Sequence, residues 1–138
     1  MSCLFCRIAS GEIPSSKVGE NEGAFAFLDI QPLARGHVLV IPKQHAERFA
    51  DMPRESARAV MDLAQDVVGR LGKRLGAHGV TIAANDGRAA GQEVMHVHVH
   101  LVPRAEADGH GPIHALFKTR AELKAGELQE IAEKLAPR

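Results

Sequence analysis

The chain has no surplus of either charge: 17 Lys and Arg balance 17 Asp and Glu over 138 residues. A balanced chain sets up no long-range field that would gather a nucleic-acid polymer or an acidic membrane surface, so the expected partner is a small molecule. It also lacks any uninterrupted apolar stretch approaching the ~20 residues of a membrane-spanning helix. Its first residues, Met1-Ser2-Cys3-Leu4-Phe5-Cys6-Arg7, do not have the basic and then apolar order of a secretory signal, and a cytoplasmic location is expected. No repeat or low-complexity tract appears, and the Gly- and Pro-rich pieces are short enough to be turns. Residues 1–138 therefore read as one domain, with the motifs between 3 and 104 and a tail and helix over 105–138. Cysteine is scarce. Cys3 and Cys6 alone are present, as a CxxC pair, which in a reducing compartment points to metal or redox chemistry before a disulfide. Two small buried apolar residues are the plainer alternative.

What is present is a set of short, regular patterns. Ala24 to Asp29 carries Phe25 and Phe27 in alternation, and Gly36 to Pro42 is an apolar run between a Gly and a Pro, so both predict strands. Val80 to Ala84 and His96 to Val102 add two more. From Pro53, Ala57, Val60, Met61, Ala64, Val67, Val68 and Leu71 recur at steps of three and four, which predicts a long amphipathic helix ending near Gly72 or Gly76. Glu127 to Leu135, with Leu128, Ile131 and Leu135 on one side, predicts a closing helix. Strands without a βαβ rhythm point to an α+β fold with an antiparallel sheet of about five strands.

The run His96-Val97-His98-Val99-His100-Leu101-Val102 places three imidazoles on alternate residues. On a regular strand they share one face, with neighbouring rings about 6 to 7 Å apart, while Val97, Val99 and Leu101 fill a core behind them. Three readings compete for this strand: a nucleophile with phosphate ligands, a three-histidine metal site, or a solvated edge. The metal site fits least, because alternate side chains on a flat face do not converge on one ion as ligands from several elements do. Just upstream, Asn85 to Glu93 is a turn-rich loop whose exposed amides suit an anion, although a plain hairpin connection would have the same composition. Cys3, Cys6, His45 and His96 are four potential zinc ligands, but local spacing links only the two cysteines.

Together these segments resemble one family. His96 to Val102 matches the His-φ-His-φ-His-φ-φ signature of the histidine triad family of nucleotide hydrolases and transferases. Cys3-Leu-Phe-Cys6 with Gly11-Glu-Ile-Pro14, Phe27-Leu-Asp29-Ile30 with Gly36 to His45, and Asn85 to Gln92 agree with it in order. Phe117-Lys118-Thr119 looks like the family's bacterial zinc-carrying branch. The resemblance implies a two-fold dimer that hydrolyses an adenosine 5′-phosphoramidate or related AMP conjugate through a nucleotidyl-His98 intermediate. His98 would attack phosphorus with a neutral ring nitrogen, its other N–H fixed by a backbone carbonyl. His100 and Asn85, with the Gln92 side chain and the amides near Glu93 and Val94, would hold the phosphate oxygens. Asp29 would accept the ribose hydroxyls, and Phe5, Ile8, Ile13, Phe27, Ile30 and Leu39 would wall the base. His37 would stand just behind these groups.

The same resemblance assigns Cys3, Cys6, His45 and His96 to a structural zinc with no open coordination position, and implies no organic cofactor. One position departs from the family's pattern. Where many members carry a small hydroxyl residue thought to help the leaving group, this chain has Glu93, whose carboxylate repels a phosphate unless protonated or turned away; turned away is the expectation. Two alternatives differ from the phosphoramidase reading: a dinucleoside polyphosphate hydrolase using the same histidine, and a nucleotide-binding interaction module with little turnover.

Overall fold

Alternation of small and large apolar residues decides the two faces of the sheet. In the computed structural model, which describes residues 3–137, strand β2 (Ala24–Leu28) pairs antiparallel with β3 (Val38–Pro42). Phe25 lies opposite Ile41 and Phe27 opposite Leu39 on one face, and Ala26 opposite Val40 on the other. β3 then pairs with β5 (Val99–Arg104), β5 with β4 (Gly79–Ala83), and β1 (Lys17–Glu20) borders β2. The resulting order is β1-β2-β3-β5-β4, antiparallel throughout.

Each face has its own core. Ala24, Ala26, Val38, Val40, Val99 and Leu101 meet Val60, Leu63, Ala64, Val67 and Leu71 of the long helix α2 (Arg54–Leu75). On the opposite face Phe25, Phe27, Leu39 and Ile41 pack against Phe5 and Ile8 of a short helix, α1 (Leu4–Ala9). Because Val99 and Leu101 point toward α2, the pleat turns His98 and His100 to the α1 side. Helix α2 stops where Gly76 turns left-handed at φ +69°, and the Ala77 N–H folds back onto the Leu71 carbonyl at 3.2 Å. A residue with a Cβ is strained in that conformation, so the glycine marks the helix end.

The triad run departs from the regular strand expected over His96 to Val102. Ladder pairing with β3 reaches only Val40 opposite Val99. Beyond it β3 ends at Pro42, which has no N–H to donate, and whose carbonyl is taken by His96 Nε2 at 2.8 Å. Val97 donates instead to Ala46 at 2.8 Å. The bend this introduces brings the His98 and His100 rings to 5.0 Å between centroids, closer than a flat strand would. Two short elements gave no periodic signal: α1, with six residues, and β1, a polar edge strand with a register shift between Lys17 and Gly19.

After β5 the tail is pinned by Arg104, whose guanidinium donates to Asp108 at 2.8 and 3.1 Å, to the His110 and Gly111 carbonyls and to Thr81 Oγ1. The closing helix α3 (Glu127–Leu135) then forms where the pattern placed it. Its apolar side does not pack on the sheet, for Leu128 and Leu135 are 71% and 79% exposed. No helix among the described residues is long and apolar enough to cross a membrane. Met1, Ser2 and Arg138, the ends of the expected 1–138 domain, lie outside the described residues.

Candidate active site and metal centre

A cavity of about 550 Å³ opens on the α1 face of the sheet, at the size range of small-ligand pockets, and His98 and His100 line it. The sequence-predicted wall residues Phe5, Ile8, Ile13, Phe27, Ile30 and Leu39 surround the same space, together with Asp29, Asn85, Glu93 and Val94. Ile30 stands at its rim, 94% exposed. Sequence reasoning passed over Ser15 and Gln31, two polar lining residues that belong to no motif.

Gln92 is placed differently. Its side chain is buried and turned into the loop, where Oε1 accepts the Gly87 N–H at 2.7 Å and Nε2 donates to the Glu47 and Val94 carbonyls at 2.8 and 3.1 Å. It holds the loop closed rather than facing the ligand. Asp86 anchors the same loop by accepting the Phe49 N–H at 2.7 Å, and that bond, with Arg48 beside it, lowers the Asp86 pKa. Gly91, at φ +97°, supplies the left-handed turn that returns the chain toward the triad. The N–H groups of Glu93 and Val94 meet no acceptor among the described residues, so they are free to bind an anion.

Hydrogen-bond partners fix the tautomers of the triad. The nitrogen His98 Nδ1 lies 2.8 Å from the His96 carbonyl oxygen, and a carbonyl only accepts. The proton therefore sits on Nδ1, and Nε2 keeps a lone pair. His37 Nδ1 accepts the Leu33 N–H at 3.1 Å, so the His37 proton is on Nε2, which donates to His100 Nδ1 at 2.9 Å. His100 in turn must carry its proton on Nε2, as a neutral donor. Burial, with the neighbouring His98 and His37, pushes the His100 pKa down to about 4, and burial lowers that of His37 against the pull of Asp29. Asp29 is oriented by the Gln31 N–H at 2.9 Å, its other oxygen 3.7 Å from His37 Nε2.

The three triad rings do not converge on one ion. His96 turns away from His98 and meets Cys3, Cys6 and His45, whose donor atoms and its own all lie within 4.8 Å of one another. A tetrahedral zinc with Zn–S about 2.3 Å and Zn–N about 2.05 Å has S···N edges of about 3.5 Å and an N···N edge of about 3.3 Å. Here Cys3 Sγ and Cys6 Sγ stand 3.3 and 3.5 Å from His96 Nδ1, Cys6 Sγ stands 3.5 Å from His45 Nδ1, and the two Nδ1 atoms are 3.2 Å apart. His96 Nε2–H donates to Pro42, which leaves Nδ1 unprotonated, as a metal ligand requires. Burial also lowers the His96 pKa and so favours the neutral ring. These four residues can hold a metal. Asp29, His37 and His100 also lie within 4.8 Å of one another, but the proton on His37 Nε2 makes them a hydrogen-bonded chain.

A family model described as the HIT domain matches residues 10–107. The chain belongs to the histidine triad (HIT) family. It is 43% identical over 105 residues to the adenosine 5′-monophosphoramidase HNT1 of Saccharomyces cerevisiae, covering 76% of this chain and 64% of that one. The crystal structure of a HIT family member from Bacillus subtilis superposes with a TM-score of 0.84 at 37% identity, over 100% of both chains. A Zn-bound histidine triad family protein from Mycobacterium smegmatis superposes with a TM-score of 0.74 at 43% identity, over 78% of each chain.

Proposed function

We propose that this HIT protein hydrolyses adenosine 5′-phosphoramidates and related AMP conjugates through a nucleotidyl-His98 intermediate. The observation that carries the reading is the His98 ring itself: its Nδ1–H is locked on the His96 carbonyl and its free Nε2 belongs to a residue lining a nucleotide-sized cavity. Nε2 attacks the α-phosphorus and the P–N bond breaks. Its electron pair stays on the leaving amine, which takes a proton from solvent. Water then attacks the same phosphorus, the P–Nε2 bond breaks, and one proton returns to solvent as AMP leaves.

Neutral donors stabilise the charge on the phosphate oxygens: His100 Nε2–H, the Asn85 amide, and the N–H groups of Glu93 and Val94. Asp29 accepts the ribose hydroxyls. Phe5, Phe27 and the aliphatic wall enclose the base, and likeness to the yeast adenosine 5′-monophosphoramidase favours adenosine. Cys3, Cys6, His45 and His96 would hold a zinc, which would supply a crosslink between the amino-terminal turn and the segment after β3. The protein is proposed to work as a cytoplasmic two-fold dimer.

The test is a panel of adenosine 5′-phosphoramidate and diadenosine polyphosphates, with single-turnover capture of adenylated protein by mass spectrometry. Preferential release of AMP from the phosphoramidate and an adenylate on His98 are expected. Preference for the polyphosphates would assign the alternative hydrolase, and binding without an adenylate would leave an interaction module.

A further inference from the structure

Two carboxylates and no Lys or Arg border the cavity. Asp29 and Glu93 line it, and neither Lys nor Arg is among its lining residues. The proposed phosphate donors are neutral dipoles, and the low pKa of His100, about 4, withholds an imidazolium at neutral pH. Such a site compensates one phosphate through hydrogen bonds and offers no fixed positive charge to a second or third. A chain of phosphates on the leaving side would instead meet the Glu93 carboxylate, since Asp29 is taken by the ribose hydroxyls.

Glu93 is exposed and makes no ion pair among the described residues. It directly follows Gln92, whose three side-chain bonds anchor this part of the loop. Glu93 lines the same cavity as His98, and an exposed charge acts on groups within about one Debye length, ~8 Å. An uncompensated carboxylate at that distance attracts a cation and repels an anion.

We propose that Glu93 is a specificity-determining residue that selects conjugates whose leaving amine carries a second, positively charged group. The substrate class is then an AMP joined by its P–N bond to a diamine or a basic amino compound, and the inference rests on the phosphoramidase reading. The P–N bond breaks as described above. The distal ammonium takes no part in the bond changes and is held by charge alone.

The experiment uses three adenosine 5′-phosphoramidates of matched length, made from 1,4-diaminobutane, butylamine and 4-aminobutanoate. Their kcat/KM values are measured on wild type, Glu93→Gln and Glu93→Lys. Wild type should rank cationic above neutral above anionic, with about 10-fold between the extremes, one attraction and one repulsion of the size found for exposed ion pairs. Glu93→Gln should collapse the spread and Glu93→Lys should reverse it. A flat ranking in wild type, or a ranking unchanged in Glu93→Gln, overturns the proposal. If wild type hydrolyses none of the three, the phosphoramidase reading fails, and calorimetric Kd values for the same conjugates on wild type and Glu93→Lys decide the role of Glu93 separately. The same ranking with reversal in Glu93→Lys supports it, and equal Kd values overturn it.

Discussion

His37 Nε2 lies 2.9 Å from His100 Nδ1, and the direction of that bond fixes what His100 offers a phosphate. Because the Leu33 N–H occupies His37 Nδ1, the proton between the two rings belongs to His37. His100 is left with a single N–H, on Nε2. His37→Phe removes the donor, frees His100 to take either tautomer, and leaves a buried nitrogen unpaired. Turnover should fall by about 10- to 100-fold, the range for partners that orient a functional histidine. Nitrogen-detected NMR should show a pure Nε2–H tautomer for His100 in wild type and a mixture in the variant. Full turnover with an unchanged tautomer would remove His37 from this role.

His98→Ala removes the cavity-lining ring whose Nδ1–H is bound to the His96 carbonyl and whose Nε2 keeps a lone pair. The ring packs on Phe5 at 5.1 Å between centroids, so some packing is lost with it. Circular dichroism should stay native-like while turnover falls at least about 10³-fold, as for other nucleophile deletions. A purified variant retaining near-normal hydrolysis would end the nucleotidyl-histidine mechanism.

Acid should weaken the fold in a defined window. His100 titrates near 4 in the folded chain against 6.5 for an ordinary histidine, and His37 shifts in the same direction. Between these values the unfolded chain binds more protons than the native one, so stability rises with pH there. The contribution is complete above about pH 6.5 and is lost as pH falls through 4. For His100 it is at most about 3 kcal/mol, and less after solvent screening. Urea unfolding at pH 7.5, 6 and 4.5 checks this: the midpoint should fall at each step, and His37→Phe should flatten the dependence. Equal midpoints would show that neither ring is held neutral.

The sequence made the site legible where chemistry repeats at fixed spacing. The alternation of Phe25 and Phe27, and of the valines between the histidines, told which residues share a face. What it could not show was the bend after Pro42, because that depends on a carbonyl 54 residues from the ring it binds. Gln92 illustrates the same limit: an amide beside a phosphate loop looks like a ligand, yet three loop groups claim it. The polar edge β1 and the six-residue α1 carry too few apolar residues to register a period. Helix α2 shows the reverse. Most of its stripe, Val60, Ala64, Val67 and Leu71, packs on the sheet as the period predicts, while Met61 stays 46% exposed.

The tail carries further exposed apolar side chains. Leu116 and Phe117 are each 73% exposed, and Leu128 and Leu135 on α3 are more than two thirds exposed. Light scattering at micromolar concentration should report twice the 14.8 kDa chain mass, as expected if these residues meet a second copy. Leu128→Glu with Leu135→Glu should shift the mass toward one chain, since two charges on an apolar contact cannot be desolvated without cost. A single-chain mass for wild type would count against the dimer.

The candidate metal centre and the proposed nucleophile His98 share a residue and a helix, which predicts how metal removal should propagate. His96 gives its ring to the cysteines and its carbonyl to His98. Phe5, between Cys3 and Cys6, packs edge-on against both His98 and His96, at 5.1 and 5.9 Å between centroids. Native mass spectrometry should find one zinc per chain in wild type and none in Cys3→Ala with Cys6→Ala. Loss of the crosslink should lower Tm by about 10 °C, the equivalent of about 3 kcal/mol in a domain of this size. As α1 loosens, its walls Phe5 and Ile8 lose their fixed positions, so the Kd for AMP should rise severalfold even without any chemical step. Zinc affinity should be higher with AMP bound than without it, by the same factor, because coupling between two sites is reciprocal. A chelator that strips the metal and leaves Tm and the AMP Kd unchanged would show that the four ligands do not brace the pocket.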